Sequence, residues 1–230
     1  MRRTFDIGPM TGAARRVAAL ALVAAAIAAP AGTAVAARND APALEPDATR
    51  LVSWIARTAD HGNVPFLMVD KRRARVLVFD ASAQLVADSP VLLGAARGDD
   101  SVPGIGERKI GDIKPHERTT PAGRFDAEAG RNLQSEDIVW VDYDAAVSMH
   151  RVRATNPRER RLQRLASPTI DDNRISYGCI NVPAAFYDAY VSPLFRGGRH
   201  AIIYVLPETR SLEQTFPALA SAAAIAQARH

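Results

Sequence analysis

The sequence is poor in the residues that form covalent crosslinks and metal sites. It contains one cysteine, Cys179, in 230 residues, which excludes an internal disulfide. No cluster of histidine, aspartate or glutamate suggests a metal site, and we expect neither a metal ion nor another cofactor. An unpaired thiol is either a small buried side chain or a reactive group. The residues around Cys179 and the compartment of the protein distinguish these two roles.

The sequence also lacks an apolar run long enough to span a bilayer. The run at 17–29 has about 13 residues, against roughly 20 for a transmembrane helix. It follows Arg15 and Arg16, and small residues at 34–36 provide a signal-peptidase site. We therefore predict a signal peptide at 1–36 and an exported protein of the periplasm or cell envelope. An uncleaved signal is the alternative, and it would be the protein's only link to a membrane.

A strong charge of one sign is absent as well. The formal net charge is +4, and the segment 1–36 contributes +3 of it through four arginines and one aspartate. The remaining chain is nearly neutral, so we expect no nucleic-acid partner. Its roughly 194 residues are enough for one domain with a hydrophobic core.

The hydrophobic pattern predicts a mainly β domain at 63–207 with two or three helices. Residues 37–62 are predicted as a linker and a helix that starts near Asp47 and ends at His61 and Gly62. The predicted strands are 65–69, 75–79, 84–93, one starting at 124–125, 138–141, 146–150 and 200–206. The first three are expected to form an antiparallel meander. A turn is predicted at 120–123, because proline suits its second position and glycine its last.

The second half of the chain adds helices and one long polar stretch. Residues 183–192 carry aromatic residues at helical spacing behind Pro183, and Pro193 should end this helix. Residues 208–230 are predicted as a helix or a flexible tail. The stretch at 153–172 has no apolar periodicity, and long loops in compact domains are usually functional or disordered.

The residues beside Cys179 favour a reactive thiol. A nucleophilic cysteine needs a base, donors for an oxyanion and access for the substrate. Glycine at 178 lets the backbone approach a carbonyl group and lets successive N–H groups converge. The amides of Tyr177, Gly178 and Cys179 are therefore candidate oxyanion donors. Among the five histidines, His150 ends a predicted strand, which is a rigid place for a catalytic base.

These residues resemble the active-site motif of the L,D-transpeptidase catalytic domain (YkuD) family. In that motif a histidine at a strand end precedes a loop and then Ser/Thr-His-Gly-Cys, an aliphatic residue and Asn or Arg. The matching positions are His150, Ser176, Gly178, Cys179, Ile180 and Asn181. The resemblance extends over residues 64–206 and includes the segments at 92–94 and 119–125.

The resemblance implies a β-sandwich or barrel-like fold and a cysteine acyltransferase. Cys179 would be the nucleophile and His150 the general base and acid. The residues expected to line the site or its oxyanion hole are Ser176, Tyr177, Gly178 and Asn181. The implied partner is a peptidoglycan stem peptide, which forms a thioester and releases D-alanine. The alternatives are an L,D-carboxypeptidase or related thiol hydrolase that trims stems or detaches wall-linked protein, and a non-catalytic wall-binding module.

Two features depart from the family pattern. Tyr177 stands where most members have histidine, a change that keeps the backbone amide and bears on substrate preference. The loop between His150 and Ser176 is long and rich in arginine. Its candidate contacts to carboxylates of a stem peptide or to anionic wall polymer are Arg151, Arg160 and Arg161. An ordinary solvated loop with local ion pairs is the alternative.

Overall fold

The computed structural model describes residues 44–220, so the predicted signal peptide and parts of the predicted linker and tail lie outside the described residues. The strands are β1 Phe66–Asp70, β2 Arg75–Phe79, β3 Leu85–Pro90, β4 Leu93–Gly94, β5 Gly123–Arg131, β6 Asp137–Asp142, β7 Val147–Arg151, β8 Arg174–Ser176, β9 Ile180–Val182 and β10 His200–Val205. The prediction of a mainly β fold is confirmed.

Eight of these strands form one sheet in the order β3-β2-β1-β10-β5-β6-β7-β9. β1 to β3 form the predicted antiparallel meander. In contrast, β1 pairs with β10 and β7 pairs with β9 in parallel. A bridge between Leu92 and Asn181 connects the chain after β3 to β9, so the sheet curls and nearly closes. β4 and β8 form a separate parallel pair.

The sheet is buried on both faces at β1. Successive side chains of a strand point to opposite faces, so Leu67 and Val69 pack in one hydrophobic cluster while Phe66 and Met68 pack in the other. This arrangement explains why the sequence of β1 is a continuous apolar run rather than an alternating one. The second cluster is covered by the helix α1 (Pro46–Thr58), which contributes its buried face.

The ends of α1 differ from the prediction. Glu45 occupies the N-cap position and Pro46 the first turn, whereas Asp47 lies inside the helix. Proline suits the first turn because its missing N–H needs no partner there. The helix ends at Thr58 with Ala59 in the left-handed conformation, before the predicted end at His61.

The helix after β9 does not end at Pro193, contrary to the prediction. It consists of Ala184–Phe186, a π-helical turn Tyr187–Val191 and Ser192–Phe195. Pro193 lies in the first turn of the last segment. The π turn changes the hydrogen-bond pattern ahead of Pro193. The proline therefore lies in the first turn of a helical segment, where its missing N–H group needs no hydrogen-bond partner. No helix in 44–220 is long and apolar enough to cross a membrane.

The remaining helices are short. They are α2 Arg161–Leu165 and Leu212–Thr215, with the 3-10 turns Ile105–Glu107, Ile110–Asp112, Pro115–Glu117, Pro157–Glu159, Ile170–Asn173 and Arg196–Gly198. The stretch at 153–172 is thus ordered into helical turns. Ser211 caps the last helix through a capping box, and Leu212, Phe216 and Leu219 join the second cluster. The tail therefore packs on the domain as far as it is described.

One strand prediction and the turn prediction were wrong in detail. The segment predicted as one strand at 84–93 is divided into β3 and β4, which belong to different sheets. The segment at 120–123 does not form the predicted turn: the Thr120 carbonyl accepts a hydrogen bond from Lys71 Nζ at 2.8 Å, and Gly123 begins β5. β8 and β9 were not predicted, because three residues are too few to show a period.

Candidate active site

The parallel pairing of β7 with β9 places Cys179 beside His150. Cys179 directly precedes β9, in which Ile180 pairs with Met149 and Asn181 with His150. Met149 and Ile180 point into the core, so Cys179 and His150 leave the sheet on the opposite face. The two side chains face each other closely enough that each shifts the pKa of the other. The structure thus brings together the two residues that the sequence analysis suggested as nucleophile and base.

A backbone carbonyl fixes the orientation of the His150 ring. His150 Nδ1 lies 2.8 Å from the carbonyl oxygen of Arg151. Because a carbonyl only accepts, Nδ1 carries a proton and Nε2 remains as the nitrogen that can take the proton of Cys179.

The electrostatics of the pair favour charge separation. Burial by itself raises the pKa of the Cys179 thiol, but the neighbouring His150 and its charge, with Ser148, lower that pKa below its ordinary value. Burial is also the largest single effect on His150 and lowers its pKa, but Cys179 and the Arg151 carbonyl together outweigh it, so the imidazole pKa is raised. Both shifts favour a thiolate beside an imidazolium.

Ser148 is a third polar group at the thiol, which the sequence analysis missed. Its Oγ lies 3.5 Å from Cys179 Sγ and can donate to a thiolate. The signal was present in the sequence, since Ser148 lies two residues before His150 on a predicted strand and thus on the same face. The thiol itself lies 3.8 Å from the Ala146 carbonyl oxygen.

Ser176 supports the turn that carries Cys179. Its Oγ accepts a hydrogen bond from the Gly178 amide at 3.1 Å and donates to the Cys179 carbonyl at 2.6 Å. Gly178 has φ +128, and an added Cβ would lie 2.8 Å from the Thr119 carbonyl oxygen. Only glycine combines this backbone conformation with so close an approach.

The same contacts reduce the set of candidate oxyanion donors. Of the three amides expected from the sequence, that of Gly178 already donates to Ser176 Oγ. The amides of Tyr177 and Cys179 have no hydrogen-bond partner among residues 44–220, so these two remain candidates.

Asn181 forms hydrogen bonds both to Cys179 and to the arginine-rich segment. Its buried side chain donates to the Cys179 carbonyl at 3.2 Å and accepts from Arg161 Nη1 at 2.7 Å. Arg161 also pairs with Glu159. The candidate contact Arg161 thus reaches the site through Asn181.

The structure does not bring Arg151 and Arg160 to the thiol. The Arg151 guanidinium pairs with Asp137 and Asp188 and lies 4.3 Å from the ring centroid of Tyr187. Arg160 is exposed and lines a separate cavity with Gln163, Arg164, Ser167 and Asp172.

Tyr177 is held by a cation on its ring. The Arg118 guanidinium carbon lies 3.8 Å from the ring centroid, and Arg118 Nη2 donates to the Ile113 carbonyl at 3.1 Å. The tyrosine at this position thus makes a cation–π contact with Arg118.

The thiol opens into a cavity of about 430 Å³. Its lining residues are Ile110, His150, Arg153, Thr155, Asn156, Glu159, Arg161, Ser176, Tyr177, Cys179 and Asn181. Among these residues Arg153, Arg161 and Glu159 leave the cavity wall with a net positive charge, and Arg161 is paired with Glu159. No group of three metal-binding side chains occurs in the described part of the chain.

The similarity of this chain to known proteins was found by comparing its structure with solved structures. No family model and no curated protein matches it. The catalytic domain of the Enterococcus faecium L,D-transpeptidase matches over 63% of this chain and 98% of its own, with 14% identity and a TM-score of 0.35. Neighbours of this chain include L,D-transpeptidase catalytic domains. The likeness is one of fold.

A second match is the helical cell shape determining protein Pgp2 from Campylobacter jejuni. It covers 70% of this chain and 58% of Pgp2, with 12% identity and a TM-score of 0.41. At these identities and TM-scores neither match bears on the reaction, which has to be argued from the site itself.

Proposed function

We propose that the protein is an exported cysteine acyltransferase that acts on peptidoglycan stem peptides in the periplasm or cell envelope. The observation that carries this proposal is the placement of Cys179 beside His150 on adjacent strands, both lining one cavity of about 430 Å³, with a lowered thiol pKa. The sequence motif around Cys179 supports the substrate class. The signal peptide at 1–36 is part of the proposal.

The first half of the reaction forms a thioester. His150 Nε2 takes the proton of Cys179, and the thiolate attacks the carbonyl carbon that precedes the terminal D-alanine of a stem tetrapeptide. The carbonyl electron pair moves to oxygen, where the amides of Tyr177 and Cys179 donate to the oxyanion. When the intermediate collapses, the C–N bond breaks and D-alanine leaves with the proton from His150.

The second half transfers the acyl group to an acceptor. An amine of a second stem gives its proton to His150 and attacks the thioester carbonyl. The new amide forms as the C–S bond breaks, and Cys179 recovers its proton. Water in place of the amine gives the carboxypeptidase or hydrolase reaction, so the two candidate functions differ only in the acceptor.

The cationic wall of the cavity suggests how a stem peptide is held. Stem peptides carry carboxylates, and Arg153 and Arg161 line the cavity beside the thiol. Arg161→Gln is expected to raise the donor KM, since it removes a charge and the contact to Asn181. Arg160→Gln is the matched control, because this exposed side chain lines another cavity. Equal KM values for the two variants would contradict this role.

Release of D-alanine tests the proposed reaction. The mature protein is incubated with disaccharide tetrapeptide, and the products are separated by mass. We expect D-alanine with wild type and none with Cys179→Ala or His150→Ala. Crosslinked dimers in the products indicate transpeptidation, and tripeptide alone indicates hydrolysis. No D-alanine from a correctly folded wild-type protein would contradict the proposal.

A further inference from the structure

Trp140 lies on the sheet face that carries the nucleophile. It pairs with Ser148 of β7 and with Glu128 of β5, and directly paired residues in antiparallel strands share a face. Ser148 in turn contacts Cys179 Sγ. These four residues form one row across neighbouring strands. At about 4.8 Å per strand, the backbone of Trp140 lies roughly 10 Å from that of Cys179.

Trp140 and Tyr143 form an aromatic corner on this face. A Cβ on Gly130 would lie 2.4 Å from both Cδ1 and Nε1 of the indole, so Trp140 packs directly on the glycine backbone. The Tyr143 ring lies 5.3 Å from the indole, centroid to centroid, at 69°, and Tyr143 is 73% exposed. Neither ring belongs to the two core clusters.

The side chain paired with Trp140 is acidic. Glu128 is exposed on this face of β5, whereas Asp126, the next exposed carboxylate along the strand, is paired with Arg124. Carboxylates accept hydrogen bonds from hydroxyl and amide groups and repel anionic ligands. An aromatic face flanked by acceptors suits a neutral ligand that has an apolar ring face and a polar rim, which is the chemistry of an N-acetylated sugar.

We propose that this corner binds a sugar ring of the glycan that carries the stem peptide. The inference rests on the proposed function, in which the reacting carbonyl belongs to the third residue of the stem. Three extended residues span about 10 Å, which matches the separation of Trp140 from Cys179. The glycan and the reacting carbonyl can therefore occupy the corner and the thiol at the same time.

Binding of a neutral disaccharide tests the corner without any catalysis. The chain has two tryptophans, and Trp54 is buried in the second cluster, so two indole N–H signals report on two distinct places. The folded protein, labelled with ¹⁵N, is titrated with di-N-acetylchitobiose. We expect the Trp140 signal to shift and the Trp54 signal to stay. No shift of the Trp140 signal would overturn the proposal.

Donor kinetics test the same corner in the reaction. A stem tetrapeptide is compared with and without its disaccharide. Trp140→Ala should raise the KM of the disaccharide donor about three- to tenfold, and leave kcat and the KM of the free peptide unchanged. Gly130→Ala keeps the indole but displaces it, and should act in the same direction.

Tyr190→Ala is the matched control, because Tyr190 is a partly exposed aromatic residue on the π-helical turn. It should leave both KM values unchanged. An equal rise in KM for both donors in Trp140→Ala would contradict the proposal. So would a rise in KM in Tyr190→Ala as large as that in Trp140→Ala. If neither donor acylates Cys179, the proposed function fails, and the chitobiose titration still decides whether the corner binds sugar.

Discussion

Thr120 Oγ1 donates a hydrogen bond of 2.8 Å to the carbonyl oxygen of Gly178, the residue before Cys179. The hydroxyl oxygen of Thr120 also accepts a hydrogen bond from the Gly94 amide at 2.9 Å. The Thr120 carbonyl accepts from Lys71 Nζ, which is fully buried and also bonds to Asp99 at 2.8 Å. A buried ammonium group therefore positions the turn that holds Cys179.

Thr120→Val is expected to lower kcat and to destabilise the fold by about 1–3 kcal/mol, because it leaves a buried carbonyl and a buried amide without partners. Denaturant unfolding and the rate of D-alanine release measure the two effects. Thr119→Val is the control, since its hydroxyl bonds to Glu117 instead and does not contact the turn. Equal kcat values for the two variants would show that the Thr120 hydroxyl does not position Gly178.

Lys71→Met is expected to cost about 3–5 kcal/mol of unfolding free energy, because it leaves the buried carboxylate of Asp99 without its cation. Asp99 and Glu208 both lie within ion-pair distance of Lys71 Nζ. Lys109→Met is the control, since Lys109 is exposed, and should change stability by less than about 0.5 kcal/mol. If Lys71→Met changed the unfolding free energy as little as Lys109→Met, the ion pairs of Lys71 would not stabilise the fold.

The rate of thiol alkylation should reveal the lowered pKa of Cys179. The thiolate is the reactive form, so the half-maximal rate should fall at a pH below about 8.5, the ordinary value for cysteine. In His150→Ala the opposing effect of His150 is lost and burial remains. The midpoint should therefore move to higher pH. A midpoint that is the same in both proteins would contradict the coupling of the two side chains.

Gly178→Ala is expected to abolish D-alanine release, because the added Cβ would lie 2.8 Å from the Thr119 carbonyl at φ +128. Circular dichroism and unfolding separate loss of the turn from loss of the fold. Gly104→Ala is the control, with φ +71 and no atom within 4 Å of the added Cβ, so it carries the backbone strain alone. Full activity in Gly178→Ala would refute the assigned role of this glycine.

The strands that carry clear patterns were predictable from the sequence, and so was the pair of residues at the thiol. β1 and β2 have long apolar runs, and the resemblance of His150 and the segment around Cys179 to a family motif indicated a chemical site. The residues that support the site were not predictable in this way. Lys71 and Thr120 are 49 residues apart, and Thr120 and Gly178 are 58 apart, so only the closed sheet brings them together.

The contacts of the arginine-rich segment were likewise not predictable from the sequence. Three arginines of equal appearance were candidates for substrate contact, yet Arg151 pairs with Asp137 and Asp188 on neighbouring elements. Arg161 reaches Asn181 instead. Which of several like charges faces a cavity depends on carboxylates that are distant in sequence, and charge patterns along the chain carry no information on them.

The most direct test of the central claim is the intact mass of the protein during turnover. Folded wild-type protein is mixed with disaccharide tetrapeptide, quenched in acid and measured, and the modified peptide is mapped. The account predicts an adduct equal to the donor minus D-alanine, located on Cys179 and absent in Cys179→Ala. An adduct on another residue, or release of D-alanine by Cys179→Ala at the wild-type rate, would contradict it.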